Sequence, residues 1–205
     1  MAPRLDKLKF RCTGCGNCCK EPLLPLTRAD LLRIIARTGD DSAEIVQWVD
    51  RNGIDMDDEP KAFVMLRQGK RVMVLRHQRG RCRYLGVDER CTIYRSRPLG
   101  CRVFPFDPDF SSRGKLLRLR LNEEATECPY ELDGSNRIDD LRRLNENYDS
   151  GTSEHQEFVT AWNRLQRARR RTGKAAGTGA EFLAFLGAAP RSKKPAGGRR
   201  AARSR

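Results

Sequence analysis

The chain has 205 residues, a formal net charge of +14 and eight cysteines. It contains no run of about 18 apolar residues, which argues against a membrane-spanning helix. The basic residues of Met1–Lys9 have no apolar stretch behind them, which argues against a secretory signal. We therefore expect a cytoplasmic protein with no membrane partner. Because the cytoplasm is reducing, eight cysteines in such a chain favour metal or redox chemistry over disulfides.

Much of the positive charge lies at the C-terminal end. Seven lysines and arginines and no acidic residue follow Pro190, so this segment carries 7 of the 14 net positive charges. We predict a cysteine-cluster metal-binding domain over residues 1–187 and a disordered basic tail over residues 188–205. Weak, nonspecific binding of nucleic acid is the interaction that such a tail favours.

The first predicted element is a cysteine-rich loop from Phe10 to Cys19, with the sequence FRCTGCGNCC. Gly14 and Gly16 lie between its cysteines. We expect both to adopt the positive φ values that let a loop wrap a bound centre. The segment is therefore interpreted as a binding loop.

Two helices are predicted after this loop. Thr27 followed by Asp30 is typical of a helix N-cap, and the apolar spacing that follows predicts a helix that ends near Gly39. A second, shorter helix is predicted from Ser42 to Arg51, with Trp48 on its apolar face and in the core.

The pattern then changes to that of strands. Two β-prone runs, Phe63–Leu66 and Val72–Leu75, are separated by Gln68-Gly-Lys70 and predict an antiparallel hairpin. The alternation of leucine and arginine over Lys115–Leu121 predicts a further strand with one solvated face. Residues 107–114, before it, are predicted to form a loop.

The C-terminal third is predicted to be helical. Apolar residues repeat at helical spacing over residues 138–148, and Ser153 with Gln156 forms a capping-box pattern before a second helix. Thr178 with Glu181 repeats the cap pattern. Together these elements predict an α+β domain, in which a small antiparallel sheet and several helices surround a composite cysteine metal site.

Spacing divides the eight candidate metal ligands into two sets. The first has CxxCxxCC spacing and the second is scattered downstream: Cys12, Cys15, Cys18 and Cys19, then Cys82, Cys91, Cys101 and Cys128. Three cysteines at successive CxxC spacing with a distant fourth are typical of bacterial four-iron clusters, whereas zinc sites more often use two CxxC pairs. The pattern therefore favours a 4Fe-4S iron–sulfur cluster, with zinc as the alternative.

Eight thiols are enough for two four-ligand sites. In an extended chain neighbouring side chains point in opposite directions, so Cys18 and Cys19 are expected to serve different sites. One division gives Cys12, Cys15 and Cys18 to the first site and Cys19, Cys82 and Cys91 to the second, with Cys101 and Cys128 completing them.

A thiolate centre of either kind carries a formal charge of about −2, which is costly to bury. Arg97 and Arg102 flank Cys101 and are expected to compensate this charge. Three nearby aromatic residues are expected to shield the centre from water: Tyr94, Phe104 and Phe106.

A family resemblance is carried by three segments: FRCTGCGNCC at Phe10–Cys19, GRCRYL at Gly80–Leu85 and CTIYRSRPLGCRVFP at Cys91–Pro105. They resemble the YkgJ-type CxxCxxCC family of zinc- or iron-chelating proteins, and the ordered motif extends to about Cys128. A relative with a named reaction is the flagellin lysine N-methylase. The resemblance therefore implies a cluster-bearing domain that can assist methyl transfer to protein lysines.

Three functions are consistent with these patterns. The first is an iron–sulfur protein that supports modification of another protein, as a cluster-dependent enzyme such as a protein lysine methyltransferase. The second is a structural or metal-handling zinc protein, and the third is a basic zinc protein that binds nucleic acid. The sequence identifies no catalytic residue.

Overall fold

The structure, a computed structural model, describes residues 7–20, 23–56, 58–113, 116–121 and 129–191. Over these ranges the chain forms five helices and eleven short strands, and every strand pairing is antiparallel. The predicted α+β class is confirmed. The helices are α1 (Arg28–Thr38), α2 (Ser42–Ile45), α3 (Leu99–Val103), α4 (Ile138–Arg171) and α5 (Gly179–Phe185). The strands are β1 (Lys7–Leu8), β2 (Arg11–Cys12), β3 (Val46–Val49), β4 (Val64–Leu66), β5 (Gly69–Leu75), β6 (His77–Gln78), β7 (Arg81–Cys82), β8 (Phe106–Phe110), β9 (Leu116–Leu121), β10 (Tyr130–Glu131) and β11 (Asn136–Arg137).

Three strands form the largest sheet, in the order β3-β5-β4. The predicted hairpin is confirmed, because β4 and β5 pair with Val64 opposite Arg71. The other edge of β5 pairs with β3, where Val46 lies opposite Leu75. The sheet, α1, α4 and α5 share one core, whose largest fully buried side chains include Leu31, Ile34, Leu66, Met73, Phe182 and Leu183.

Helix α1 begins and ends where the sequence predicts. The Thr27 hydroxyl accepts a hydrogen bond from the Asp30 amide at 3.1 Å, and the Asp30 carboxylate accepts one from the Thr27 amide at 3.2 Å. This reciprocal pair is a capping box. Gly39 follows the helix with a φ of 70°, a left-handed conformation that glycine adopts without strain.

The helix predicted from Ser42 to Arg51 is wrong after its first turn. Helix α2 stops there, and the next four residues form β3. Pairing with β5 buries Val46 and Val49, whose β-branched side chains pack well in a strand. Trp48 lies in β3 rather than in a helix, and its ring centroid is 5.9 Å from that of Phe182.

The loop predicted over residues 107–114 is also wrong in its first half, which belongs to β8. This strand pairs with β9, so the strand predicted over Lys115–Leu121 is confirmed from Leu116 onward, and Lys115 lies outside the described residues. The Asp109 carboxylate forms an ion pair with Arg120 at 2.8 Å across the two strands. Pro108 lacks an amide donor, but β8 has one partner strand among the described residues, and an edge strand tolerates proline.

Helix α4 runs without a break through the second predicted cap. Ser153 is exposed in the middle of this helix, so the prediction that a helix begins there is wrong. His155, Val159 and Trp162 lie on one buried face, and their packing continues the helix across the cap pattern. None of the described helices combines the length and the apolar character needed to cross a membrane.

Helix α5 and the residues after it pack onto the domain. The predicted cap is confirmed, with the Thr178 hydroxyl accepting a hydrogen bond from the Glu181 amide at 3.2 Å. Ala188 is buried, and the Arg191 amide donates to the Asp41 carboxylate at 2.6 Å. The rest of the predicted tail, residues 192–205, lies outside the described residues.

Two glycine-to-alanine substitutions test this packing. A Cβ on Gly179 would collide with the Trp48 indole, whereas a Cβ on Gly151, inside α4, would meet only a methyl group of Leu99 at 3.9 Å. We expect Gly179→Ala to lower the free energy of unfolding by about 1–3 kcal/mol. Gly151→Ala should raise it by about 0.5–1 kcal/mol, because alanine favours a helix interior. Urea unfolding at fixed metal content measures both, and a Gly179→Ala protein as stable as the parent would contradict the packing.

Candidate metal centre

Five cysteine thiols from three separate segments lie close enough to interact with one another. They come from the turn Asn17–Cys19, from the segment that starts in β7, and from α3: Cys18, Cys19, Cys82, Cys91 and Cys101. We call them the five-thiol group. Two of the contacts are hydrogen bonds, from the Cys18 thiol to Cys19 and from the Cys19 thiol to Cys82.

These contacts and burial shift the pKa of each thiol. Hydrogen bonding to Cys19, followed by burial, raises the pKa of Cys18. The bond from Cys18 lowers the pKa of Cys19, but the bond to Cys82 and burial outweigh it and raise that pKa to about 12. Burial also raises the pKa of Cys91 and of Cys101. Cys82 is the exception, because the hydrogen bond it accepts from Cys19 lowers its pKa.

Four of the five thiols therefore keep their protons at neutral pH. A metal that binds them as thiolates must displace these protons, so metal affinity should rise with pH. Cys82 is the thiol most ready to lose its proton. The Tyr84 amide also donates to its sulfur at 3.4 Å, and hydrogen bonds to a thiolate stabilise the charged form.

Arg97 brings positive charge to the group. Its guanidinium favours the thiolate form of three members, Cys18, Cys91 and Cys101. This is the compensation that the sequence predicts for Arg97, whereas Arg102 is exposed. Tyr94 is 55% exposed, and its ring lies 4.2 Å from the Arg97 guanidinium. Tyr94 therefore supports the cation instead of closing the group off from water.

Two left-handed glycines shape the N-terminal loop. Gly14 and Gly16 have φ values of 74° and 75°, which confirms the expected positive φ. A Cβ on Gly16 would lie 2.7 Å from the Glu89 carbonyl oxygen and 3.2 Å from the Leu85 side chain, whereas nothing lies within 4 Å of that position on Gly14. Only glycine at position 16 lets this loop approach the 82–91 segment so closely.

The turn that carries Cys18 and Cys19 is not extended. It is a single 3₁₀ turn, in which the Cys19 amide donates to the Gly16 carbonyl at 2.9 Å. The assumption of an extended chain was wrong, and the curled backbone brings both thiols into the same group. That Cys18 and Cys19 serve different metal sites stays a prediction.

A short hairpin and a compact loop hold the second segment. Strands β6 and β7 pair so that Cys82 lies opposite His77. The chain then turns back on itself, and Leu85 forms an isolated β-bridge with Cys91. The Tyr84 hydroxyl donates to the Asp40 carboxylate at 2.7 Å, which ties this loop to the end of α1.

A buried carboxylate fixes the start of α3. Asp30 is 0% exposed, forms an ion pair with Arg33, and accepts a hydrogen bond from the Leu99 amide at 2.9 Å. Arg33 in turn donates to the Arg97 carbonyl at 3.2 Å. Helix α1 therefore positions both Arg97 and the α3 turn that carries Cys101. The sequence predicts Asp30 only as a cap, because no local pattern signals a contact so distant along the chain.

The remaining cysteines are placed differently. Cys12 lies exposed in β2, opposite Tyr130, and its sulfur accepts a hydrogen bond from the Gly14 amide at 3.4 Å. Cys15 is half-buried. Cys128, the last predicted ligand, lies outside the described residues, so its place in a site stays a prediction.

Residues 11–129 match the family model CxxCxxCC, which is described as a putative zinc- or iron-chelating domain. The matched range is more than half of the chain and contains all eight cysteines. The chain belongs to the CxxCxxCC family. Comparisons with curated proteins and with solved structures found no match. The family description agrees with the predicted cofactor, zinc or iron–sulfur, and the match agrees with the family resemblance seen in the sequence.

The five-thiol group fits the metals that the CxxCxxCC family is described as chelating. An all-sulfur donor set suits both zinc and iron–sulfur clusters, and Arg97 and the Tyr84 amide offset negative charge on the sulfurs. Within the described ranges, no three His, Cys, Asp or Glu side chains are arranged to hold a metal ion as they stand. Metal binding at this group would require its thiols to lose protons and to draw together.

Alanine substitutions at the two loop glycines separate the effect of backbone strain from the effect of pushing the loop away from the 82–91 segment. Both Gly14→Ala and Gly16→Ala place a side chain at positive φ, which costs about 1–2 kcal/mol. Only Gly16→Ala also drives a Cβ against the Glu89 carbonyl. We expect Gly16→Ala to lose most bound metal and Gly14→Ala to keep it. Elemental analysis of metal per chain measures this, and equal loss in both variants would argue against the close approach.

Proposed function

We propose that the five-thiol group binds an iron–sulfur cluster of the four-iron type. The observation that carries this proposal is the convergence of five buried or half-buried thiols from three chain segments. A four-iron cluster takes four thiolates, so the group offers one more than the cluster needs. The matched family model is described as zinc- or iron-chelating, which is compatible with an iron centre.

Zinc is the second candidate. A tetrahedral zinc site also takes four thiolates, and the matched family model is described as zinc- or iron-chelating. A zinc centre here would stabilise the fold without redox chemistry.

The identity of the metal is tested by anaerobic purification, followed by a visible spectrum and metal analysis of one sample. A brown protein with broad absorbance near 400 nm and about four irons per chain is the result we expect. A colourless protein with about one or two zinc ions per chain would replace the first candidate with the second. A protein that holds neither metal would contradict both.

A pair of serine variants tests which thiols hold the metal. Cys82→Ser removes the buried thiol that accepts a hydrogen bond from Cys19, whereas Cys12→Ser removes an exposed thiol of the N-terminal loop. We expect Cys82→Ser to lose most bound metal and several kcal/mol of stability, because the binding energy of such a site is also folding energy. Cys12→Ser should keep the metal. The reverse order, measured by metal content and thermal unfolding, would move the centre to the outer cysteines.

Two further roles stay predictions. Modification of another protein, such as lysine methylation, depends on the sequence resemblance to the flagellin lysine N-methylase. Nucleic-acid binding depends on the basic tail, most of which lies outside the described residues. Neither role is needed for the metal centre proposed above.

A further inference from the structure

A partly enclosed cavity of about 180 Å³ lies beside the metal-centre segment. One face of α4 forms its longest wall, with residues recurring at helical spacing. The opposite walls come from the segment just before α1, from the segment before β4, and from β5 and β8. The helix contributes Tyr148, Asp149, Thr152, His155 and Gln156, and the opposite walls include Leu26, Glu59, Ala62, Met73 and Pro108.

Tyr148 connects this cavity to the five-thiol group. Its ring lines the cavity and also lies 3.6 Å from the position that a Cβ on Gly100 would take. Gly100 precedes Cys101 in α3, and the Tyr148 phenol is within electrostatic reach of Cys101 and Asp30. A ligand in the cavity would therefore sit one side chain away from the thiols.

The charge on the cavity wall is negative. Glu59 and Asp149 contribute carboxylates, and neither lysine nor arginine is among the described residues that line it. This sign is opposite to the net charge of the chain, which is +14. The Gln156 amide donates to the Glu59 carboxylate at 2.7 Å and holds that carboxylate at the wall. Such a wall attracts a cation and repels an anion.

A buried imidazole completes the wall. His155 is 7% exposed, and its Nδ1 has no hydrogen-bond partner among the described residues. A buried polar atom without a partner costs free energy, which a ligand or a water molecule can recover. Burial lowers the pKa of His155 to about 4, so the ring is neutral at pH 7 and adds no positive charge. A neutral imidazole nitrogen can accept a hydrogen bond from a cationic donor.

We propose that this cavity binds a small organic cation, a primary amine with an apolar body. The ammonium group would pair with Glu59 and Asp149, and the apolar body would pack against Leu26, Ala62 and Met73. Benzene fills a cavity of about 150 Å³, so a ligand with one aromatic ring or a short alkyl chain fits. The proposal does not depend on which metal the thiols hold.

An NMR titration of the ¹⁵N-labelled full chain with benzylamine tests the proposal. We expect saturable shifts concentrated in α4 around residues 148–156. Benzyl alcohol and benzoate carry the same ring with a neutral or an anionic head, and both should bind at least about tenfold more weakly. Asp149→Asn should weaken benzylamine binding by about tenfold. Glu157→Gln, which removes an exposed carboxylate of the same helix, should leave it unchanged.

Three results would overturn the proposal. They are equal binding of benzyl alcohol and benzylamine, an equal effect of Asp149→Asn and Glu157→Gln, and the absence of saturable shifts in α4. Metal content measured on the same sample tests the two proposals separately. A chain that holds no metal but still binds benzylamine would contradict only the proposed metal centre.

Discussion

The buried carboxylate of Asp30 is the group on which the arrangement of the five-thiol group depends. A buried charge costs several kcal/mol unless it is paired and hydrogen-bonded, and losing one partner of such a pair is strongly destabilising. The partners of Asp30 are the cap residue of α1, a half-buried arginine of the same helix and the first residue of α3: Thr27, Arg33 and Leu99. The carboxylate is satisfied only when these elements meet, so the first helix and the segment of Cys101 are placed together.

Elements whose signal is local were predictable from the sequence. The caps at Thr27 and Thr178 use contacts between residues three apart, and the β4–β5 hairpin has a two-residue turn. In each case both residues of the deciding contact lie within the short sequence pattern. The wrong predictions concern residues whose conformation depends on a partner that is distant along the chain. Val46 pairs with a strand that lies far along the chain, and the buried face of α4 overrides the cap pattern at Ser153. At such positions tertiary packing outweighs the intrinsic secondary-structure preference of the residues.

The candidate site was predictable in its residue types but not in its grouping. Cysteine spacing identified the chemistry, and proximity in sequence identified Arg97 as the compensating cation. The grouping depends on the 3₁₀ turn at Cys18 and Cys19 and on the Tyr84–Asp40 hydrogen bond. Neither leaves a repeat or a spacing that can be read from the chain. The sequence alone therefore does not show which thiols lie next to one another.

The spread of the five thiols along the chain has a consequence for the order of assembly. Cys18 lies near the start and Cys101 at the midpoint of the 205 residues, with α1 and the whole three-stranded sheet between them. During synthesis, half of the chain must be made before Cys101, the last member of the group, emerges. A metal that joins both ends then acts as a cross-link, which removes open conformations from the unfolded chain. At the proposed centre, metal capture would come only after Cys101 has emerged, while α4 and α5, which complete the core, are still to follow.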